Sequence, residues 1–143
     1  MIVTVKAGEV VTVQANEVAV VLDGGHATVL AGGSAVVYDH GTVEVKEGGM
    51  ADIFDSGIGV VEAGGIGVVE AGGTVTVLEG GHADVRNGGQ AEVYAGGKVD
   101  VYNGGCANVQ VGGTATVYPG GKTTGPGEIY HFGDDGHDLA PTI

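Results

Sequence analysis

The sequence predicts an all-β fold, a parallel β-helix (β-solenoid) with two strands and 16 residues per coil, on three observations. A frame of eight residues runs from Val5 to Thr124 without an insertion, giving 15 octads. Its first position is Val in fourteen of them and Ile53 in the other; its seventh is Ala, Val or Gly everywhere except Thr123. The third position separates the octads into two series. Odd octads carry Ala7, Asp23, Asp39, Asp55, Ala71, Asn87, Asn103 and Pro119 there, and even ones Ala15, Ala31, Glu47, Ala63, Glu79, Ala95 and Val111, so that Asp and Asn occur only in the odd series. A coil of two octads stacks like on like, whereas a coil of three would scramble them.

Each element follows from this frame. Positions seven and one are small and apolar and the residues around them are mixed and mostly polar, which is the period-two alternation of a strand. Positions three to five, usually x-Gly-Gly, are turns. The fourth is Gly twelve times and otherwise Asn16, His40 or Ser56, and the tolerance of Asn and His for φ > 0 predicts a left-handed residue there. Glu9 and Glu17 replace the fifth-position Gly in the first two octads, which predicts opening turns of another shape. An antiparallel meander is the rival arrangement, but it leaves the Val/Ala face uncovered, whereas a solenoid supplies the second sheet from its own alternate strands.

The chain of 143 residues divides into an octad solenoid at 1–124, about 7.5 coils or roughly 36 Å of rod at the strand spacing, and a tail at 125–143. The octad breaks at Gly125-Pro126-Gly127, and the tail brings Ile129, Tyr130, Phe132 and Leu139, bulky groups that suit a cap or a docking arm over an open sheet edge. Nothing comparable is evident at the N-terminal edge.

Eighteen acids against five bases give a net charge of −13. Direct binding to phosphate backbones or anionic membranes is excluded on that ground, and a partner is expected to be basic. The lone Cys106 cannot form an internal disulfide, no secretory leader pattern precedes the repeats, and no transmembrane-length apolar run occurs. Residence in the cytoplasm of a bacterial host is the expectation.

On the frame, Val18, Val20, Leu22, Val36, Tyr38, Met50, Phe54, Ile66 and Val68 share one outer face. So large an apolar patch predicts association, and homodimerisation through it is expected. Acids concentrate in the same part of the chain, with Asp39, Glu44, Glu47, Asp52, Asp55, Glu62, Glu70 and Glu79 set against Lys46 alone between 39 and 79. All of these acids but Glu79 join Asp23 in the candidate partner-binding set, and the stretch from 39 to 79 has an axial density of about one charge per 1.7 Å, similar to duplex DNA. Solubility of a rod with open ends is the competing reason for this charge.

Catalysis finds no support, because an insertion-free octad has no loops from which to build a cleft, and no nucleophile-elbow, zinc-protease or phosphate-loop motif is present. No cofactor is expected. His26 and His82 fall on opposite faces, so no shared metal is expected either. The Asp23/Asp39/Asp55 column offers one carboxylate per layer, too few ligands for calcium. The tail residues His131, Asp134, Asp135, His137 and Asp138 read as a solvated cluster.

The segments GGTVTVLEGG and GGTATVYPGG resemble half of the Gly-Gly repeat in autotransporter adhesin passengers. That resemblance implies an adhesive solenoid. By architecture alone the chain is also similar to the acidic pentapeptide-repeat gyrase inhibitors, which resemble duplex DNA in shape and charge. Two expectations follow: a non-enzymatic inhibitor of the phage-encoded anti-CRISPR or anti-restriction kind, which occludes the basic surface of a nuclease or other nucleic-acid-binding protein; or a structural or adhesive module, such as a phage fibre segment or cell-surface repeat.

Overall fold

The computed structural model describes the backbone of residues 2–132 and 138–142 and the side chains of residues 2–131. Its strands fall into two sheets. Ten form the first: β1 (Ile2–Val5), β3 (Val18–Val21), β5 (Ser34–Val37), β7 (Met50–Ile53), β9 (Ile66–Val69), β11 (His82–Val85), β13 (Lys98–Val101), β15 (Thr114–Val117), β17 (Glu128–Phe132) and β18 (Asp138–Thr142). Eight form the second: β2 (Val10–Val13), β4 (His26–Val29), β6 (Thr42–Val45), β8 (Ile58–Val61), β10 (Thr74–Val77), β12 (Gln90–Val93), β14 (Cys106–Val109) and β16 (Lys122–Thr124).

Odd strands thus stack on odd and even on even, in parallel, with a 16-residue register such as Val20 beside Val36 and Thr76 beside Glu92. The expected two-strand, 16-residue solenoid is the observed fold, with about eight coils counted from β1 and β2 to β15 and β16. The antiparallel meander is excluded. Among the described strands the single antiparallel pairing is β17 with β18, at the C-terminal edge.

First-position Val side chains and seventh-position Ala or Val side chains from the two sheets meet in one core, and among the described residues no polar side chain is buried. Small residues suffice because the sheets enclose a thin layer. Each first-position Val from Val21 to Val109, and Ile53 with them, is completely inaccessible, a burial that stabilises by roughly 1.5–3 kcal/mol per side chain.

The turns are more uniform at the N-terminus than the sequence implies. The Glu9 amide donates to Lys6 O at 2.9 Å and the Glu17 amide to Gln14 O at 3.0 Å, the same closure that Gly25 makes on Leu22 at 2.8 Å. Gly8 has φ 80° and Asn16 φ 69°, as a type II turn requires. The expectation of a different opening shape is therefore corrected. What differs is space. A Cβ on Gly25 would stand 2.6 Å from the Val5 carbonyl oxygen of the coil before, and no earlier coil lies against Glu9 and Glu17.

Those glutamates also supply a device at the N-terminal edge that the sequence reading overlooked. Later in the rod the second-position amide donates to the coil before, as Leu22 N does to Val5 O at 2.9 Å. In the first coil the Lys6 amide donates instead to Glu9 Oε1 at 2.7 Å, and the Gln14 amide to Glu17 Oε1 at 2.8 Å.

Two turns do depart from the rest. Asp39 and His40 have φ 40° and 66°, and Asp55 and Ser56 have φ 35° and 67°, so both central residues are left-handed, as in a type I′ turn. Along the even edge the fourth-position amides donate coil to coil without a break from Asn16 to Gly96. Along the odd edge this ladder joins Gly8 to Gly24 and resumes at Ser56, skipping the steps between Gly24, His40 and Ser56.

At the other end the last coil is shortened. Thr114 pairs with Glu128, a step of 14 residues, after the Gly127 amide donates to Val109 O at 2.9 Å. This brings Ile129 beside Ala115 and into the core. Within the expected tail, β17 extends the parallel ladder and β18 pairs with it in the antiparallel sense. The side chains of Phe132 and Leu139 lie outside the described residues, as do those of Asp134, Asp135, His137 and Asp138 from the expected tail cluster, whose His131 stands beside Val117 on β17.

Candidate functional site

The outer face of the ten-stranded sheet carries three columns set by register. One reads Val18, Ser34, Met50, Ile66, His82, Lys98 and Thr114; the next reads Val20, Val36, Asp52, Val68, Asp84, Asp100 and Thr116. The third, just beyond the strand ends, reads Leu22, Tyr38, Phe54, Glu70, Arg86, Tyr102 and Tyr118. All nine expected interface residues therefore share this face, over β3 to β9. Met50 and Ile66 are exposed at 47% and 39%, and Tyr38 stacks on Phe54 with centroids 5.3 Å apart. Asp52 sits inside the patch between Val36 and Val68, and a shallow hollow is lined by Ser34, Val36, Met50 and Asp52.

The C-terminal half of the same face is polar. His82 Nε2 stands 3.2 Å from Asp84 Oδ1 and 3.4 Å from Asp100 Oδ2. Partial burial pushes the Asp100 carboxyl above the usual aspartate value and the neighbouring Asp84 carboxylate adds to the rise, while His82 opposes it. Below them Tyr102 and Tyr118 stack at 4.8 Å, with the Arg86 guanidinium 6.0 Å from the Tyr102 ring.

The opposite sheet carries separate pairs. His26 Nδ1 lies 2.7 Å from Thr42 Oγ1 and its Nε2 lies 3.3 Å from Glu44 Oε1. Lys46 donates to Glu62 at 2.8 Å, and this bond raises the lysine above its ordinary value. The Tyr94 hydroxyl donates to Glu92 at 2.6 Å, which raises the phenol in the same way. Cys106 is exposed on this face.

The candidate acids are not brought together. Asp23, Asp39 and Asp55 follow one turn edge and Glu47 the other; Asp52 and Glu70 belong to the first face, Glu44 and Glu62 to the second. Glu44 and Glu62 have basic neighbours, and Asp23 has His40 at 3.9 Å. Asp39 and Asp55 have a backbone role besides, since Asp is among the residues that type I′ turns select. The His82, Asp84 and Asp100 cluster is what the sequence reading missed. Its signal was the register itself, which sets Asp100 directly beside Asp84.

No protein-family model matches the chain, and no curated protein matches it. Among solved structures it is similar to the TibC-catalysed, hyper-glycosylated fragment of TibA, at 21% identity and a TM-score of 0.41, over 87% of this chain and 71% of that one. At that distance the likeness bears on neither activity nor partner.

Proposed function

We propose that the chain is a non-enzymatic structural or adhesive solenoid that associates with a second copy of itself through the apolar half of its ten-stranded sheet. The observation that carries this reading is the apolar patch from Val18 to Val68 on one outer sheet face, with Met50 and Ile66 its most exposed members. A flat face of that kind buries apolar area on contact without any rearrangement. The strands behind it keep one parallel register from β1 to β15 in that sheet, so the face is carried by a continuous hydrogen-bonded ladder. Light scattering on the full chain tests it. The parent should have twice the chain mass and Val36→Asp with Phe54→Asp should have the chain mass; a monomeric parent, or an unaltered mass in the variant, overturns the reading.

The decoy reading draws on the net charge of −13 and the Asp23, Asp39 and Asp55 edge. The division of carboxylates over two faces and two edges weighs against it, because a basic groove meets only one side of a rod at a time. Were the chain such an inhibitor, of the anti-CRISPR or anti-restriction kind, a nuclease recovered with it from a bacterial lysate would lose DNA binding. Reversing Asp39, Asp52 and Asp55 to Lys would then restore that binding.

A further inference from the structure

We infer that His82, Asp84 and Asp100 form a site for a divalent transition-metal ion of the zinc class. One imidazole and two carboxylates converge, and their nearest ligand atoms all lie within 4.8 Å of one another. The Nε2 to carboxylate separations of 3.2 and 3.4 Å match the spacing of about 2.8–3.6 Å between neighbouring donors on an ion held at about 2.0–2.2 Å.

The side chains are anchored for this. Asp84 and Asp100 are register partners on β11 and β13, so the strand spacing fixes their separation, and His82 precedes Asp84 by two on the same outer face. All three are partly shielded, at 39%, 25% and 27% exposure. Two carboxylates so close repel each other unless a cation or a proton intervenes. Protonated His82 supplies one positive charge; a divalent ion supplies two and takes the imidazole as a neutral ligand. Of the cations nearby, Arg86 lies over Tyr102, and Lys98, beside His82 in register, is exposed and makes no ion pair with Asp84 or Asp100 among the described residues. A nitrogen donor among oxygens favours zinc and its neighbours over calcium or magnesium. The ion would clip one coil to the next and keep its remaining coordination positions open on the flat face. Another outer-face histidine, His26, meets Thr42 and a single carboxylate, Glu44, and serves as an internal control.

Calorimetric titration of the full chain with zinc chloride tests this, with ring-proton NMR as the second readout. Zinc should bind at one equivalent and shift the His82 ring signals, leaving those of His26 in place. His82→Ala and Asp100→Asn should each weaken binding by at least the roughly 10–100-fold that loss of a supporting partner costs at other metal sites. His131→Ala with His137→Ala should leave it intact. Both variants of the cluster alter outer-face residues, and where either fails to fold the NMR shift in the parent chain decides. Absence of zinc uptake, equal uptake after His82→Ala or Asp100→Asn, loss of uptake in the tail variant, or displacement of zinc by equimolar calcium overturns the assignment.

Discussion

The side chain of Ile53 occupies the place where a Cβ on Gly59 would stand. Ile53 is the one first-position residue larger than Val, and Gly59 is one of two glycines at the seventh position. The Ile53 Cδ1 atom fills the room that the missing Ala methyl leaves, with Val43 on its other side. Gly59→Ala should therefore cost about 1–3 kcal/mol through overpacking, and Ile53→Val about 0.5–1.5 kcal/mol through the lost methyl. The double substitution restores the repeat consensus and should cost less than either overpacking alone or the sum. Denaturant melts of the four chains form the cycle, and strict additivity would contradict the shared volume.

Glu9 and Glu17 occupy the first coil, where they accept the Lys6 and Gln14 amides. Each replacement by Ala should lower stability by roughly 0.5–1 kcal/mol, the net value of a hydrogen bond. The sharper measurement is hydrogen exchange. Protection at the Lys6 amide should fall in Glu9→Ala and be unchanged in Glu17→Ala, with the reverse at Gln14.

His40 and Ser56 hold left-handed backbone, at φ 66° and 67°, where other coils place Gly. Replacing either by Gly should stabilise the fold by about 1 kcal/mol, the usual penalty of that conformation for a residue with a Cβ. With both replaced, the Gly24 amide should gain exchange protection as the turn ladder of the odd edge closes. Equal or lower melting temperature would show that the type I′ geometry, not the residue at the fourth position, governs these turns.

The Tyr94 phenol is held above its ordinary value by its bond to Glu92. A folded value above the unfolded one favours the native state while the phenol is protonated, and that contribution is lost as pH rises through the folded value. Phenolate absorbance or ring NMR should show Tyr94 ionising late in the alkaline range, and Glu92→Gln should move it earlier. Identical titrations would show the bond to be absent in solution.

Much of the fold was legible because a period of eight with small residues at two positions allows few closures, and the Asp/Asn bias of the odd third positions selected one of them. The fourth-position left-handed residues were legible for the same reason: Asn16 and His40 stand where Gly otherwise recurs. What Glu9 and Glu17 do was not, because their replacement of Gly has meaning only once the carbonyl of an earlier coil is known to occupy that space. The type I′ turns at Asp39 and Asp55 are not legible from charge patterning, because what sets them is the tolerance of aspartate for left-handed backbone. Among the described residues His82 has no second histidine on its face, and its ligand-like neighbours are carboxylates: Asp84 two residues on and Asp100 one strand spacing away, a juxtaposition visible only when the 16-residue register is followed residue by residue.

Uniform layers bring a hazard of their own. A chain whose every storey is built alike can be threaded one storey out of step at little loss of interior contact, since the same small groups meet at each level. The oversized Ile53 with its vacant partner at Gly59 then acts as an index mark. The storeys above and below Gly59 place Val43 and Val75 at the equivalent position, so a slip of one storey drives the large side chain into a branched one and leaves a void beside Gly59. On this view the irregular residues tell the folding chain which floor it has reached. Erasing the pair together should yield a rod that melts much as before yet refolds to a mixture of alignments.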